Sequence, residues 1–587
     1  MAVLSIFTQV VAAAILAAVL LAAGARIRRL LKVPTAPRLR WSIDLALGAW
    51  FASTLLLLLG LAGVLGAVPL LGAVLVLALA GRWRGNQRPW ATLVPPAAAG
   101  LLTLPVALAP PFFYDALVYH LALPWRALVE GAWRAHPETV FAAFPPLAEL
   151  LSLPGLAVGF DRVPALLQWL AWVAAGTGII ALARRAGAPP IAARLAGAAV
   201  LVLPATPLVP GFPAAEGWLL VGLVPAAVLV TTRPRPGAPF LAGSLVGVAA
   251  AARLQGLPWA LVLLSLAAFC WRARPRSLTA AATGLVLGAL PWWAANGVLL
   301  GDPLAPLGWH REGLDTLWRD SHSLLRGGRS LLECMTALPR LLSGEATWLL
   351  PLALVAVLAL IQRPRRAAPL AYASILGLAA WACTGALPRF LAPTAALLLA
   401  VAALPRRGRL ARSATLLALG WCAVLGTVHE LRWLQRIDLP RLLATDTAGA
   451  VRAMSPNPPT AAFAAAASLP ARARVLFVAE PRAFGFPRPC VAPSQHDPSP
   501  LRALVEGERT PDEVRRALQR QDYAYMLVNW GELVRLGPSY PVAPWRSPTG
   551  QQRWRALLRT LGEPVISEGG VQIFDLSLEA PRNAPGG

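Results

Sequence analysis

Apolar runs long enough to cross a bilayer recur along this chain from Ser5 to His429, separated by short arginine clusters. A spanning helix needs roughly 20 apolar residues, and about 14 such runs can be placed. The first covers about Leu4 to Ala25. It has no basic residue ahead of it and no convincing cleavage site, which predicts a retained helix rather than a signal peptide. Another run, Ala91 to Ala109, stops just before a polar, aromatic, proline-rich stretch at residues 110–149.

Beyond His429 the pattern changes. Arg441 to Ser468 is a Pro/Ala/Thr-rich connector with little periodicity, and Val475-Leu-Phe-Val-Ala then reads as a buried strand. Thr510-Pro-Asp-Glu513 has the form of a capping box that opens a helix to about Gln521. A strand over Tyr523–Asn529, a helix around Gln552–Leu561 and a hairpin around Glu568-Gly-Gly-Val complete the series. The expected fold is an α-helical polytopic membrane protein with a small C-terminal α/β domain. The division falls at residues 1–430 for the transmembrane domain and 431–587 for the α/β domain, with some parallel strand pairing.

Composition agrees with a membrane protein. The chain is 57% hydrophobic and 14% charged, whereas about a quarter of the residues of a soluble protein are charged. The formal charge of +25 does not indicate nucleic acid as a partner, because the arginines form small groups between the runs, such as Arg26, Arg28, Arg29 and Arg363, Arg365, Arg366. That is the positive-inside pattern of cytoplasmic loops facing membrane lipids. Taken so, it puts the N-terminus, the residue 110–149 loop, the Gly301–Glu345 loop and the tail on the outer side. The expected location is a bacterial inner membrane, multi-pass, with a periplasmic C-terminal domain.

Several chemistries are excluded by motif. Lys32 is followed by Val33, so there is no Walker A loop. Gly176-Thr-Gly-Ile-Ile-Ala181 sits inside an apolar helix and reads as helix packing. There is no HExxH and no GxSxG, and His120 and His136 are too few for a metal set. Cys270, Cys383 and Cys422 read as packing residues, while Cys334 and Cys490 face outward and could pair.

What remains is a set of charged groups at run ends on one side. Asp115 follows the Ala91–Ala109 run with Tyr114, Tyr119 and His120 beside it, and Glu149 closes that loop. Glu216 opens a span after Pro210-Gly-Phe-Pro, and Arg389 sits in a break between spans. A carboxylate at the edge of hydrocarbon is costly unless paired or hydrated, so such positions mark function. Arginine grips phosphate oxygens bidentately, and a carboxylate can take a proton from an attacking hydroxyl. A phosphate leaving group needs no acid, so one base suffices.

Tyr114-Asp-Ala-Leu-Val-Tyr-His-Leu with Phe144-Pro-Pro-Leu-Ala-Glu resembles the first outer loop of bacterial GT-C membrane glycosyltransferases, relatives of the protein mannosyltransferases and the aminoarabinose transferase. Pro291-Trp-Trp-Ala-Ala-Asn296-Gly and Pro388-Arg-Phe-Leu-Ala-Pro are similar to later elements of that superfamily. The resemblance implies a polyprenyl-phosphate sugar donor and a glycan, lipid or protein acceptor at the outer face of the membrane. It implies Asp115 as the catalytic carboxylate with Glu216 and Glu149. Arg389, His120, Tyr119, Tyr114 and Asn296 would bind substrate, and a divalent cation could serve as cofactor. Arg253 stands where lysine is common, and Asp302 where asparagine is usual. An O-antigen ligase or polymerase, or a transporter or flippase, are the alternative readings of such a chain.

Overall fold

The computed structural model describes residues 2–80, 90–307, 330, 332–333, 336, 347–384, 387–404 and 408–577. Arg82, Arg84, Arg88, Arg406, Arg407, Cys334 and most of the Gly301–Glu345 loop lie outside the described residues. Among the described residues, five helices are long and apolar enough to cross a membrane: Val3–Leu30, Pro37–Leu61, Val163–Ala186, Pro275–Leu300 and Arg409–Leu434. Shorter apolar helices, among them Leu147–Leu156, Glu216–Val230, Ala238–Ala252 and Leu349–Gln362, pack with them. The chain is a multi-pass helical membrane protein.

Lipid tails are as apolar as leucine, so helices in a bilayer gain contact by close backbone approach at small residues. The helices Ala238–Ala252 and Pro275–Leu300 meet in this way. A Cβ added at Gly243 would stand 1.8 Å from the Ala281 carbonyl oxygen, and one at Gly288 would stand 2.6 Å from that of Ser244. The first two spans are also joined by charge: Arg28 Nε donates to Asp44 Oδ1 at 2.6 Å, both buried.

One expected span is broken. The Ala91–Ala109 run forms two short helices, Val94–Gly100 and Leu104–Ala107, rather than one. Proline stands in the first turn of each, where a missing N–H is harmless, but Pro105 cannot donate back into the preceding helix. The Gly100 carbonyl at the break accepts from Trp169 Nε1 at 2.8 Å and Thr103 Oγ1 at 3.1 Å. Irregular backbone at membrane depth survives where protein neighbours satisfy it. The connector also differs from expectation, because it folds into short helices at Thr447–Met454 and Thr460–Ala465.

The tail holds a five-stranded sheet of β1 (Val475–Val478), β2 (Cys490–Val491), β3 (Tyr525–Asn529), β4 (Ile566–Glu568) and β5 (Val571–Asp575). Its order is β2-β1-β3-β5-β4, with β2, β1 and β3 parallel and β5 antiparallel to β3. The capping box forms as read, with Thr510 accepting from the Glu513 amide and Glu513 from the Thr510 amide. That helix runs over Pro511–Gln519, two residues short of expectation. The β4–β5 hairpin turns on Gly569 and Gly570, both at positive φ, a conformation that glycine adopts freely. The two-residue strand β2 has no periodicity of its own and gave no sequence signal.

The sheet is buried on both faces. Leu476, Val478, Met526 and Val528 face Trp554 and Leu557 of the helix Pro548–Leu561. Their alternates Val475, Phe477, Leu527 and Ile573 face Ala116, Leu117 and Leu121, the segment just after Asp115. The tail is therefore packed onto the polar loop of the membrane part. At that junction Arg482 donates to Glu480 at 2.7 Å and to the Pro456 and Asn457 carbonyls at 2.8 Å, and it lies 3.7 Å from Glu532.

Removing Arg482 leaves the buried Glu480 carboxylate without its cation, while Glu532 keeps Arg535, and such a loss costs about 3–5 kcal/mol. Arg482→Ala protein should melt well below wild type in a thermal scan of the purified full chain. An unchanged midpoint would show that the cluster does not hold the tail in place.

Candidate active site

After the irregular Pro-Pro-Phe-Phe approach the chain turns helical at Tyr114 and Asp115 and passes into one π-helical turn, Ala116–His120. In that turn Leu121 N reaches back to the Ala116 carbonyl at 2.9 Å, and wide turns of this kind recur at functional sites. The Leu117 carbonyl accepts from the amides of Ala483 and Phe484 of the tail at 3.1 and 3.2 Å. Trp125 Nε1 donates to the Phe486 carbonyl at 2.7 Å, and Val140 N donates to Asp497 at 3.1 Å. The loop around Asp115 is thus fixed by the tail sheet on one side and by membrane helices on the other.

Asp115 Oδ2 accepts from Arg389 Nη1 at 2.9 Å, across 274 residues of sequence. Arg389 belongs to the one-turn helix Pro388–Leu391, which leads into Ala392–Ala402. Around this pair lies a narrow polar cavity of about 90 Å³, walled by Tyr119, His120, Phe141, Glu149, Arg253 and His496 among others. His120 Nδ1 and Glu149 Oε1 are 2.7 Å apart. Arg253 Nη1 lies 3.0 Å from Glu216 Oε1, and its guanidinium sits 5.1 Å above the Phe390 ring. Tyr119 stacks on Phe141 with centroids 4.1 Å apart.

The same ion pair borders a second cavity of about 620 Å³. Its wall is largely apolar, with Phe112, Phe113, Leu208, Phe212 and Ile437, and Tyr114 and Arg436 add polar groups. Leu208 is held at a φ of 60° and donates its amide to Glu430 at 2.7 Å. Asp115 and Arg389 are shared by both cavities, one with charged groups set among aromatic and apolar walls and the other largely apolar.

Of the residues named from sequence, Asp115, Glu149, Arg389, His120 and Tyr119 line the polar cavity. Glu216 stands one layer behind, reached through Arg253. Asn296 is also behind the wall: its Nδ2 donates to the Ala143 and Ala305 carbonyls at 2.9 and 2.7 Å, bracing the loop that carries Phe144. Tyr114 turns away towards Arg482 and Arg535, 5.8 and 5.7 Å from its ring, and faces the apolar cavity. Sequence reasoning did not find Gln495 and His496, which come from the tail and complete the polar wall. Their only signal is a polar Ser-Gln-His-Asp group between prolines, and nothing in it indicates a partner 380 residues upstream. Cys490, assigned to the outer side of the membrane with Cys334 as a possible partner, is buried and its carbonyl accepts from Arg126 at 2.8 Å; Cys334 lies outside the described residues.

Burial opposes ionisation of Asp115, but the charge of Arg389 outweighs it and holds the carboxyl below the usual aspartate range. Asp115 is therefore an anion at neutral pH. Among the described residues, no three His, Cys, Asp or Glu side chains are grouped to hold a metal. The stability that Asp115 draws from Arg389 is present in full above the unfolded value of about 3.9 and is lost as pH falls through the lower folded value. Arg389→Met protein should melt below wild type at neutral pH, and the gap should close as pH drops below about 4. A gap that persists in acid would mean packing rather than charge.

No family model and no curated protein sequence matches this chain. Solved structures do. ArnT from Cupriavidus metallidurans in the apo state aligns with a TM-score of 0.53 at 16% identity, over 83% of this chain and 98% of that one. The arabinofuranosyltransferase AftD from Mycobacteria gives 0.49 at 16%, over 84% of this chain and 40% of its own. The Archaeoglobus fulgidus oligosaccharyltransferase tethered to an acceptor peptide gives 0.41 at 12%, over 79% and 72%. At these identities the likeness is one of fold alone, and this chain shares the overall fold of the Cupriavidus metallidurans ArnT structure.

Proposed function

We propose that this protein is an integral-membrane glycosyltransferase that moves a sugar from a polyprenyl-phosphate carrier to an acceptor hydroxyl at the outer face of a bacterial inner membrane. The observation that carries this reading is the Asp115–Arg389 pair at the boundary of a polar and an apolar cavity. A lipid-linked sugar has that same division of character. Its isoprenoid chain suits the cavity of Phe112, Phe113 and Phe212, its phosphate suits Arg389, and its sugar suits the aromatic and charged wall of Tyr119, Phe141 and Arg253.

In this reaction the acceptor oxygen attacks the anomeric carbon. The new C–O bond forms as the bond from that carbon to the phosphate oxygen breaks, and the acceptor proton goes to Asp115. The departing polyprenyl phosphate takes the electron pair of the broken bond, gains a second negative charge and stays on Arg389. Phosphate entering the site competes with Asp115 for that guanidinium and so frees the carboxylate to act as base. Glu216 positions Arg253, and Glu149 positions His120, without themselves meeting the reacting atoms. Gln495 and His496 reach in from the tail on the acceptor side, which gives the tail a share in acceptor recognition.

Transfer of label from a panel of radiolabelled polyprenyl-phosphate sugars in membranes tests the reading. Wild type should transfer from at least one donor, and Asp115→Asn should lower the rate roughly 10²–10⁴-fold with insertion intact. Retained transfer by well-inserted Asp115→Asn protein would remove the base, and no transfer by wild type from any donor would sink the reading. Replacing Gln495 and His496 together by Ala should raise KM for acceptor roughly tenfold while leaving KM for donor alone. An equal rise in both would place the tail residues elsewhere in the cycle.

A further inference from the structure

A second charged cavity lies at the opposite end of the helices that build the active site. The helix Glu216–Val230 begins at Glu216 and ends beside Thr232, Arg233 and Arg235. Its 15 residues carry the chain about 22 Å from one to the other. The helix Val163–Ala186 begins next to the tail, where Arg162 donates to the Thr445 carbonyl at 3.1 Å, and ends at Arg184 and Arg185. Its 24 residues span about 36 Å, enough to cross the hydrocarbon. The turn at Pro34–Leu39 closes the third side with Thr35 and Arg38.

Together these elements enclose about 500 Å³. Arg38, Arg184, Arg185, Arg233 and Arg235 line it, and no described acid does. Arg184 donates to the Ala188 carbonyl, and none of the other four is paired with a described carboxylate. Asp44, on the helix that follows the Pro34–Leu39 turn, is held by both Nε and Nη2 of Arg28, at 2.6 and 3.3 Å. Five like charges around one concavity repel each other, and that repulsion is relieved by an anion between them. The positive-inside rule asks only that arginines lie near this membrane face, not that they converge on a cavity. Arg272, Arg274 and Arg276 satisfy the rule from an exposed turn without lining this cavity.

The walls below the arginines are apolar, with Leu39, Ala181, Val228 and Leu229. A cationic rim above an apolar wall at a membrane surface matches a lipid better than a free anion. We infer that this cavity binds an anionic phospholipid, its headgroup phosphate among the five arginines and the start of its acyl chains along Val228 and Leu229. The site is separate from the Asp115 cavity and does not depend on the reaction proposed there.

The test is titration of fluorescent phosphatidylglycerol onto the purified full-length protein in a neutral detergent. Each arginine removed should weaken binding about fivefold, which corresponds to about 1 kcal/mol. Arg233→Gln with Arg235→Gln should therefore weaken it on the order of 25-fold, and Lys at both positions should restore most of it. The control pair Arg272→Gln with Arg276→Gln should bind as wild type does, and fluorescent phosphatidylcholine should bind poorly to all of them. Equal weakening by both Gln pairs would show a diffuse basic surface and overturn the site. So would equal binding of the neutral lipid. Full displacement of the probe by millimolar inorganic phosphate would overturn the lipid and leave a soluble anion as ligand.

Discussion

The cost of holding charge away from water governs the end of this molecule that carries the Asp115 site. Two ion pairs and one hydrogen-bonded pair border the polar cavity: Asp115 with Arg389, Glu216 with Arg253, and Glu149 hydrogen-bonded to His120. Each joins chain segments that are separate in sequence. Breaking one by removing a partner leaves an uncompensated buried charge, so the pairs fix the register of the span ends on which they sit. The same rule operates in the tail, where Arg482 satisfies Glu480 and two carbonyls, and Arg126 satisfies Glu138 and the Cys490 carbonyl. The site is thus assembled by the groups that would do its chemistry.

This explains why a loop as polar as residues 110–149 is buried. Phe477, Leu527 and Ile573 on one sheet face cover Ala116, Leu117 and Leu121, and the tail's amides satisfy the Leu117 carbonyl. A membrane loop and a soluble-type sheet therefore share one core. The tail acts on the site in two ways: it sets the backbone that carries Asp115, and it contributes Gln495 and His496 to the wall.

Much of the fold was legible because its signals are local. The capping box at Thr510, the Gly569-Gly570 hairpin and the length of apolar runs each depend on a few adjacent residues. The break at Gly100 was not legible, because proline in an apolar run reads either as a kink or as a fresh start, and only Trp169 and Thr103 show which. In the site, Asp115, Glu149 and Arg389 stood out as charges at the ends of apolar runs. Glu216 carried the same signal yet lies behind Arg253, because sequence shows that an acid needs a partner but not which side of the partner faces the cavity. Asn296 looked polar and available, but two backbone carbonyls use its amide. Gln495 and His496 sit in a segment without period, and their place follows from tertiary packing alone.

The sharing of Asp115 and Arg389 between two cavities has a consequence for the order of events on the proposed reading. With the guanidinium bound at 2.9 Å, the carboxylate is held as an anion but is engaged, and its basicity is lowered by the charge beside it. A phosphate arriving through the apolar cavity meets Arg389 first and takes over its hydrogen bonds. Asp115 then stays buried while it loses part of its counter-charge, and that loss raises its affinity for a proton. The base strengthens only once a donor is in place. An acceptor hydroxyl in the polar cavity before that point faces a carboxylate too weak to take its proton, and an activated sugar does not meet an active base without its carrier phosphate already gripped. On the proposed reading, one ion pair at the junction of two cavities links lipid entry to catalytic competence.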